Sequence, residues 1–161
     1  MRLARLVPSI VICALLFGPT IASAAAAGQN ESVYVSDIEN RLDRVTATLA
    51  LGYAIIPDAD NARKVGILWG GSTSAEIPYR LQAGRAYLFI GVCDKDCSDL
   101  DFTLFNQNRS VVAIEMVSNS HGVPIFAFAP QQTGTYYLRA TMQQCRTRGC
   151  YWGVDIFRKA E

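Results

Sequence analysis

Ala86-Tyr87-Leu88-Phe89-Ile90-Gly91-Val92 is apolar at every position, so a strand formed here has no polar face to offer water and must be covered on both sides. The segment that follows, Cys93-Asp94-Lys95-Asp96-Cys97-Ser98-Asp99-Leu100-Asp101, brings together two cysteines and four carboxylates, and two more cysteines come later at Cys145 and Cys150. Such clusters are covalent staples or metal sites. The choice between them separates a structural reading from a chemical one.

Outward from that strand, short runs of period two recur at 64–69, 76–82, 101–105, 111–116, 124–129, 135–142 and 151–158. They are separated by turn material such as Gly70-Gly71-Ser72, Ala83-Gly84, Asn106-Gln107-Asn108 and Pro130-Gln131-Gln132-Thr133-Gly134. About eight short strands at this spacing predict a mainly β chain folded as an antiparallel sandwich. In 135–142, Tyr136, Leu138, Ala140 and Met142 share one face, with Tyr137, Arg139 and Thr141 on the other. In the last strand Trp152, Val154 and Ile156 oppose Tyr151, Asp155 and Phe157. This alternation predicts that both strands are covered on one side only.

N-terminal to the strands, Ile38, Leu42, Val45 and Leu49 recur at helical spacing, with Glu39, Arg41, Asp43 and Arg44 on the other side. Ser36 followed by Glu39 is a capping-box pattern, and Gly52 supplies a stop, which predicts an amphipathic helix over 36–51. Its apolar stripe needs a surface, and the doubly apolar strand at 86–92 needs a second cover. The helix is the expected one.

The first 24 residues show a basic start (Arg2, Arg5), an apolar run broken by Gly18-Pro19, and Ala22-Ser23-Ala24. That is the pattern of a secretory signal peptide cleaved after Ala24. An uncleaved anchor needs about 20 uninterrupted apolar residues. The expected organisation is therefore a signal peptide over 1–24, a flexible lead-in over 25–35, a helix over 36–51 and a sandwich domain over 52–161. The mature chain has no transmembrane segment in this reading and resides in the periplasm or outside the cell. Lys and Arg number 15 against 14 Asp and Glu. Loss of Arg2 and Arg5 keeps the balance near neutral, so no electrostatic case exists for nucleic acid.

An exported chain meets oxidising conditions, and the four mature cysteines permit three pairings. The short spacings favour Cys93–Cys97 and Cys145–Cys150, each closing a tight loop between strands. The rival is a four-thiolate zinc site, an arrangement more usual in reducing compartments.

At Leu81-Gln82-Ala83-Gly84-Arg85-Ala86-Tyr87, at Cys93 to Leu104 and at Pro130-Gln131-Gln132-Thr133-Gly134-Thr135-Tyr136, the chain resembles the bacterial pre-peptidase C-terminal domain family. It is also similar to small exported bacterial proteins that join an N-terminal helix to such a domain, with a late cysteine pair followed by Tyr151-Trp152-Gly153-Val154. The resemblance implies a jelly-roll-like β-sandwich that serves secreted peptidases as an accessory module, not as the catalytic one. A shared fold does not carry a shared activity. At Asn106-Gln107-Asn108-Arg109 the chain has amides where related sequences often have an acidic, Gly-containing turn.

Three functional readings follow. Asp94, Asp96, Asp99 and Asp101 supply the hard oxygen ligands that calcium takes, although their spacing does not fit the EF-hand loop; equally, they are residues that cap backbone amides in a turn. His121, the single histidine, sits in a turn-like segment beside Ser118 and Ser120 without a G-x-S-x-G elbow, and one histidine does not assemble a catalytic zinc site. Tyr137, Arg139, Tyr151 and Phe157 face outward by parity and would form an aromatic platform, unless the helix covers them. The expectation is a non-enzymatic binding or accessory domain with an unknown protein or polysaccharide partner and no catalytic residues. The alternative is a calcium-stabilised module that binds an extracellular polymer.

Overall fold

The computed structural model describes residues 22–56, 62–116 and 123–161. A helix, α1 (Ala22–Leu49), is followed by ten strands: β1 (Tyr53–Ile55), β2 (Arg63–Leu68), β3 (Ser72–Thr73), β4 (Ile77–Leu81), β5 (Tyr87–Cys93), β6 (Cys97–Phe105), β7 (Val111–Glu115), β8 (Ile125–Phe128), β9 (Gly134–Cys145) and β10 (Cys150–Lys159). They form two antiparallel five-stranded sheets packed as a sandwich. In one sheet β10 is flanked by β5, with β8 beyond it, while β1 and β2 share its other edge. In the other, β9 is flanked by β6 and then β7, while β3 and β4 share its other edge. All eight expected strands are present. The two additional ones, β1 and β3, are three- and two-residue edge pairings too short to carry a periodic signal.

The core lies between the sheets. Phe89, Trp152, Val154 and Ile156 meet Phe102, Leu104, Leu138, Ala140 and Met142, and the Phe102 and Trp152 rings meet edge-on at 6.3 Å. Close sheet approach at Gly91 depends on a missing side chain, because a Cβ there would lie 2.5 Å from the Phe102 ring and 2.7 Å from Pro124. Gly91→Ala is therefore expected to lower unfolding stability by about 1–3 kcal/mol through overpacking, measured by denaturant titration.

Every residue of β5 is buried, as a strand covered on both sides requires. The second cover is α1, whose Ile38 and Leu42 are fully buried against Val92, while Val45 packs against both Val92 and the Leu88–Ile90–Phe157 group. Leu49, the last helical residue, is exposed, so the contact stripe ends at Val45. Gly153 of β10 sits directly beneath, where a Cβ would come within 2.6 Å of Ile38 Cγ2 and 2.9 Å of Leu42 Cδ1.

Two expectations are corrected here. The helix begins at Ala22, so residues 25–35 are helical and not a flexible lead-in, and Ser36 lies mid-helix with no free terminal amides to cap. Ala22 to Ala27 are strong helix formers apart from Ser23, and the single Gly28 costs about 1 kcal/mol, too little to stop propagation. The last strand is covered on both faces: Trp152 to Phe157 are all buried, because α1 lies across the side that parity assigned to solvent. Asp155, only 1% exposed, is thereby placed beneath the helix. It is matched by Arg63 of β2, which donates from Nε to Oδ1 at 2.8 Å and from Nη2 to Oδ2 at 2.7 Å. Nη2 also reaches Asp43 of α1 at 2.7 Å, tying helix to sheet. Donating to Asp155 holds the Arg63 guanidinium above its ordinary range.

Residues 1–21, which include most of the expected signal peptide, lie outside the described residues. No helix among the described residues is long and apolar enough to cross a membrane.

Candidate functional site

The chain passes from one sheet to the other at the β5–β6 and β9–β10 corners, and at each corner a cysteine pair is at bonding distance. Cys93 and Cys97 have Cα atoms 5.9 Å apart, and Cys145 and Cys150 are 5.8 Å apart. These are the local pairings that the spacing favours. Cys97 and Cys145 are also register partners across β6 and β9, so both bridges occupy the same end of the sandwich.

Between Cys93 and Cys97, the buried Asp94 organises the corner. Its Oδ1 accepts from the amides of Asp96 at 3.0 Å and Cys97 at 3.1 Å, and its Oδ2 accepts from the Tyr151 amide at 2.7 Å. Both carboxylate oxygens are thus committed to the backbone, the part Asp takes in turns. Asp96 pairs with Lys95 at 2.9 Å. Asp101 is buried on β6 and accepts from Gln143 Nε2 at 2.7 Å; burial raises its carboxyl above the ordinary range, against the lowering effect of that bond. Among the described residues, no group of three or more His, Cys, Asp or Glu side chains converges as a metal site would require. His121, Ser118 and Ser120 lie outside the described residues.

The four outward aromatic-platform residues do not come together. Strands β9 and β10 belong to different sheets, so Tyr137 and Arg139 emerge on the face opposite Tyr151 and Phe157. Tyr151 stacks on Tyr34 of α1 with ring centres 5.0 Å apart, and Phe157 is buried with Leu88 and Ile90 under Val45. Parity within a strand shows inward from outward; it does not show which sheet the strand joins.

On the open sheet, Tyr137 and Arg139 belong to an interlocked array. Arg109 Cζ stands 3.8 Å over the Tyr137 ring, and Arg139 Cζ 4.6 Å from the Phe105 ring centre. Glu76 ties the two cations, accepting from Arg139 Nη2 at 2.6 Å and pairing with Arg109. Phe105 and Tyr137 are register partners, which aligns the two ring–guanidinium pairs along neighbouring strands. Each such contact contributes about 0.5–1 kcal/mol at an exposed site. Among the described non-glycine residues, Arg109 alone has a positive φ, 61°. The strain is offset by Asn106, whose Oδ1 accepts from the amides of Asn108 at 2.9 Å and Ser110 at 3.0 Å.

That same turn forms one wall of a cleft of about 480 Å³ at the end of the sandwich away from the cysteines. Gln107 and Asn108 lie on the β6–β7 side and Gln131, Gln132 and Thr133 on the β8–β9 side, with Phe128 and Tyr136 between. Both loops are pinned. Tyr136 Oη donates to the Gln132 carbonyl at 2.9 Å, and Thr133 Oγ1 accepts from the Ala83 amide at 2.9 Å. The cleft was not foreseen from the sequence. Its signal was the amide content of two turns that served only as strand separators.

No protein-family model and no curated protein matches the sequence. Among solved structures, the chain is similar to the pre-peptidase C-terminal domain of a collagenase from Bacillus anthracis, at 17% identity over 60% of this chain and 88% of that one, with a TM-score of 0.43. It is also similar to the periplasmic inhibitor of g-type lysozyme from Aeromonas hydrophila, at 16% identity over 59% of this chain and 84% of that one, with a TM-score of 0.38. The first belongs to the family that the motifs at 81–87, 93–104 and 130–136 resemble.

Proposed function

We propose that this chain is an exported, non-enzymatic binding domain that holds an extracellular polymer, protein or polysaccharide, on the outer face of its open sheet. The observation that carries this reading is the asymmetry between the two sheets. The helix covers the outer face of one, whereas the other displays Tyr137, Arg109, Arg139 and Phe105 in fixed orientation around Glu76. Aromatic and arginine side chains already held in place lose little conformational freedom on binding, and they are the residue types that dominate interface energetics. Export is supported by the signal-peptide pattern and by two cysteine pairs at bonding distance, which suit an oxidising compartment.

The purified chain is expected to co-sediment with at least one insoluble polymer from a panel of peptidoglycan, cellulose, chitin and a fibrillar protein. Arg139→Ala and Tyr137→Ala should each lower the retained affinity by about fivefold or more, the loss of one anchoring contact, with melting temperatures little changed. Retention unaffected by either substitution, or absent throughout, overturns this reading.

A further inference from the structure

The cleft beside the open face is more specific in its chemistry than the face itself. Among the described residues that line it, none is charged. An anionic or cationic ligand would be desolvated there without a counter-charge. A purely apolar ligand would strand the side-chain amides of Gln107, Asn108, Gln131 and Gln132, which have no hydrogen-bond partner among the described residues. Each of these amides offers a donor and an acceptor side by side, a match for neighbouring hydroxyl groups that both give and take a hydrogen bond. Phe128 and Tyr136, held edge-on with ring centres 5.4 Å apart, add an apolar surface between the two amide walls. Neutral, hydroxyl-rich and carrying an apolar C–H face describes a sugar ring. The volume of about 480 Å³ falls in the range of small-molecule sites.

The geometry points to a binding site for a neutral saccharide unit in this cleft, between the β6–β7 turn and the β8–β9 loop. The inference rests on the polymer-binding reading and narrows it: the polymer is an uncharged polysaccharide, and the amide cleft takes one of its units beside the open face. The site is built before the ligand arrives, because the Asn106 turn and the Gln132 and Thr133 contacts fix both loops while leaving the outer amides exposed.

The test is amide-resolved NMR titration of the isotope-labelled chain with cellohexaose, maltohexaose and chitohexaose, alongside oligogalacturonate as an anionic probe and chitosan oligomers as a cationic one. At least one neutral probe is expected to shift the amides of 106–108 and 131–135. Asn108→Ala and Gln132→Ala should each weaken that binding about fivefold. Both substituted side chains are exposed, and retained dispersion of the core amides confirms folding. The inference is overturned if no neutral probe shifts those amides or if a charged probe binds as well as a neutral one. Shifts confined to the Tyr137–Arg139 face overturn it too, while leaving the polymer-binding reading intact.

Discussion

Replacing Arg63 by Met is expected to cost about 3 kcal/mol, the lower end of the range for leaving one partner of a buried ion pair uncompensated, since Arg63 itself keeps some contact with water. The carboxylate that suffers is Asp155, 1% exposed and sealed under α1. Denaturant unfolding of Arg63→Met against the parent chain measures the loss. Adding Asp155→Asn to that variant should recover a large part of it, because the penalty arises from the stranded charge and not from the missing side chain. Asp43→Ala should cost well under 1 kcal/mol, because that partner is exposed. Equal losses for Asp43→Ala and Arg63→Met would mean that the buried charge is not what matters.

The second large effect is expected at Leu42. Its side chain is fully buried between α1 and the sheet, so Leu42→Ala should cost about 2–5 kcal/mol in lost transfer energy and residual cavity. Leu49→Ala, about two turns further along α1 and exposed, is the control and should fall within about 0.5 kcal/mol. A negligible shift for Leu42→Ala would show the helix to be a detachable tether. A large one makes it part of the domain.

Most of the architecture was legible because it rests on patterns that need no knowledge of neighbours. The unbroken apolar run at 86–92 implied two covers, and the Ile38–Leu42–Val45 stripe supplied one of them. Local cysteine spacing likewise anticipated both bridges. What escaped depended on facts outside any single window. The helix overran its expected start because Ser36 and Glu39 look like a cap only when the preceding turn is not already helical. Alternation assigns the face bearing Tyr151, Asp155 and Phe157 to solvent, since it cannot register a helix arriving from more than a hundred residues away. The aromatic platform divided for a related reason: β9 and β10 are adjacent in sequence and separate in space. The cleft is a tertiary object made from two unremarkable turns, at 106–108 and 130–134, that meet only once the sheets have packed.

Both bridges lie at the corners beside Asp94, and the amide cleft lies at the other end of the same strands. Covalent closure and the proposed ligand contact therefore fall to loops that share no residues. Substitutions at 107–108 or 131–132 would leave the cysteine corners, the Asp94 hydrogen bonds and the Thr133 contact untouched, so the chemistry of that end can change without renegotiating how the chain folds.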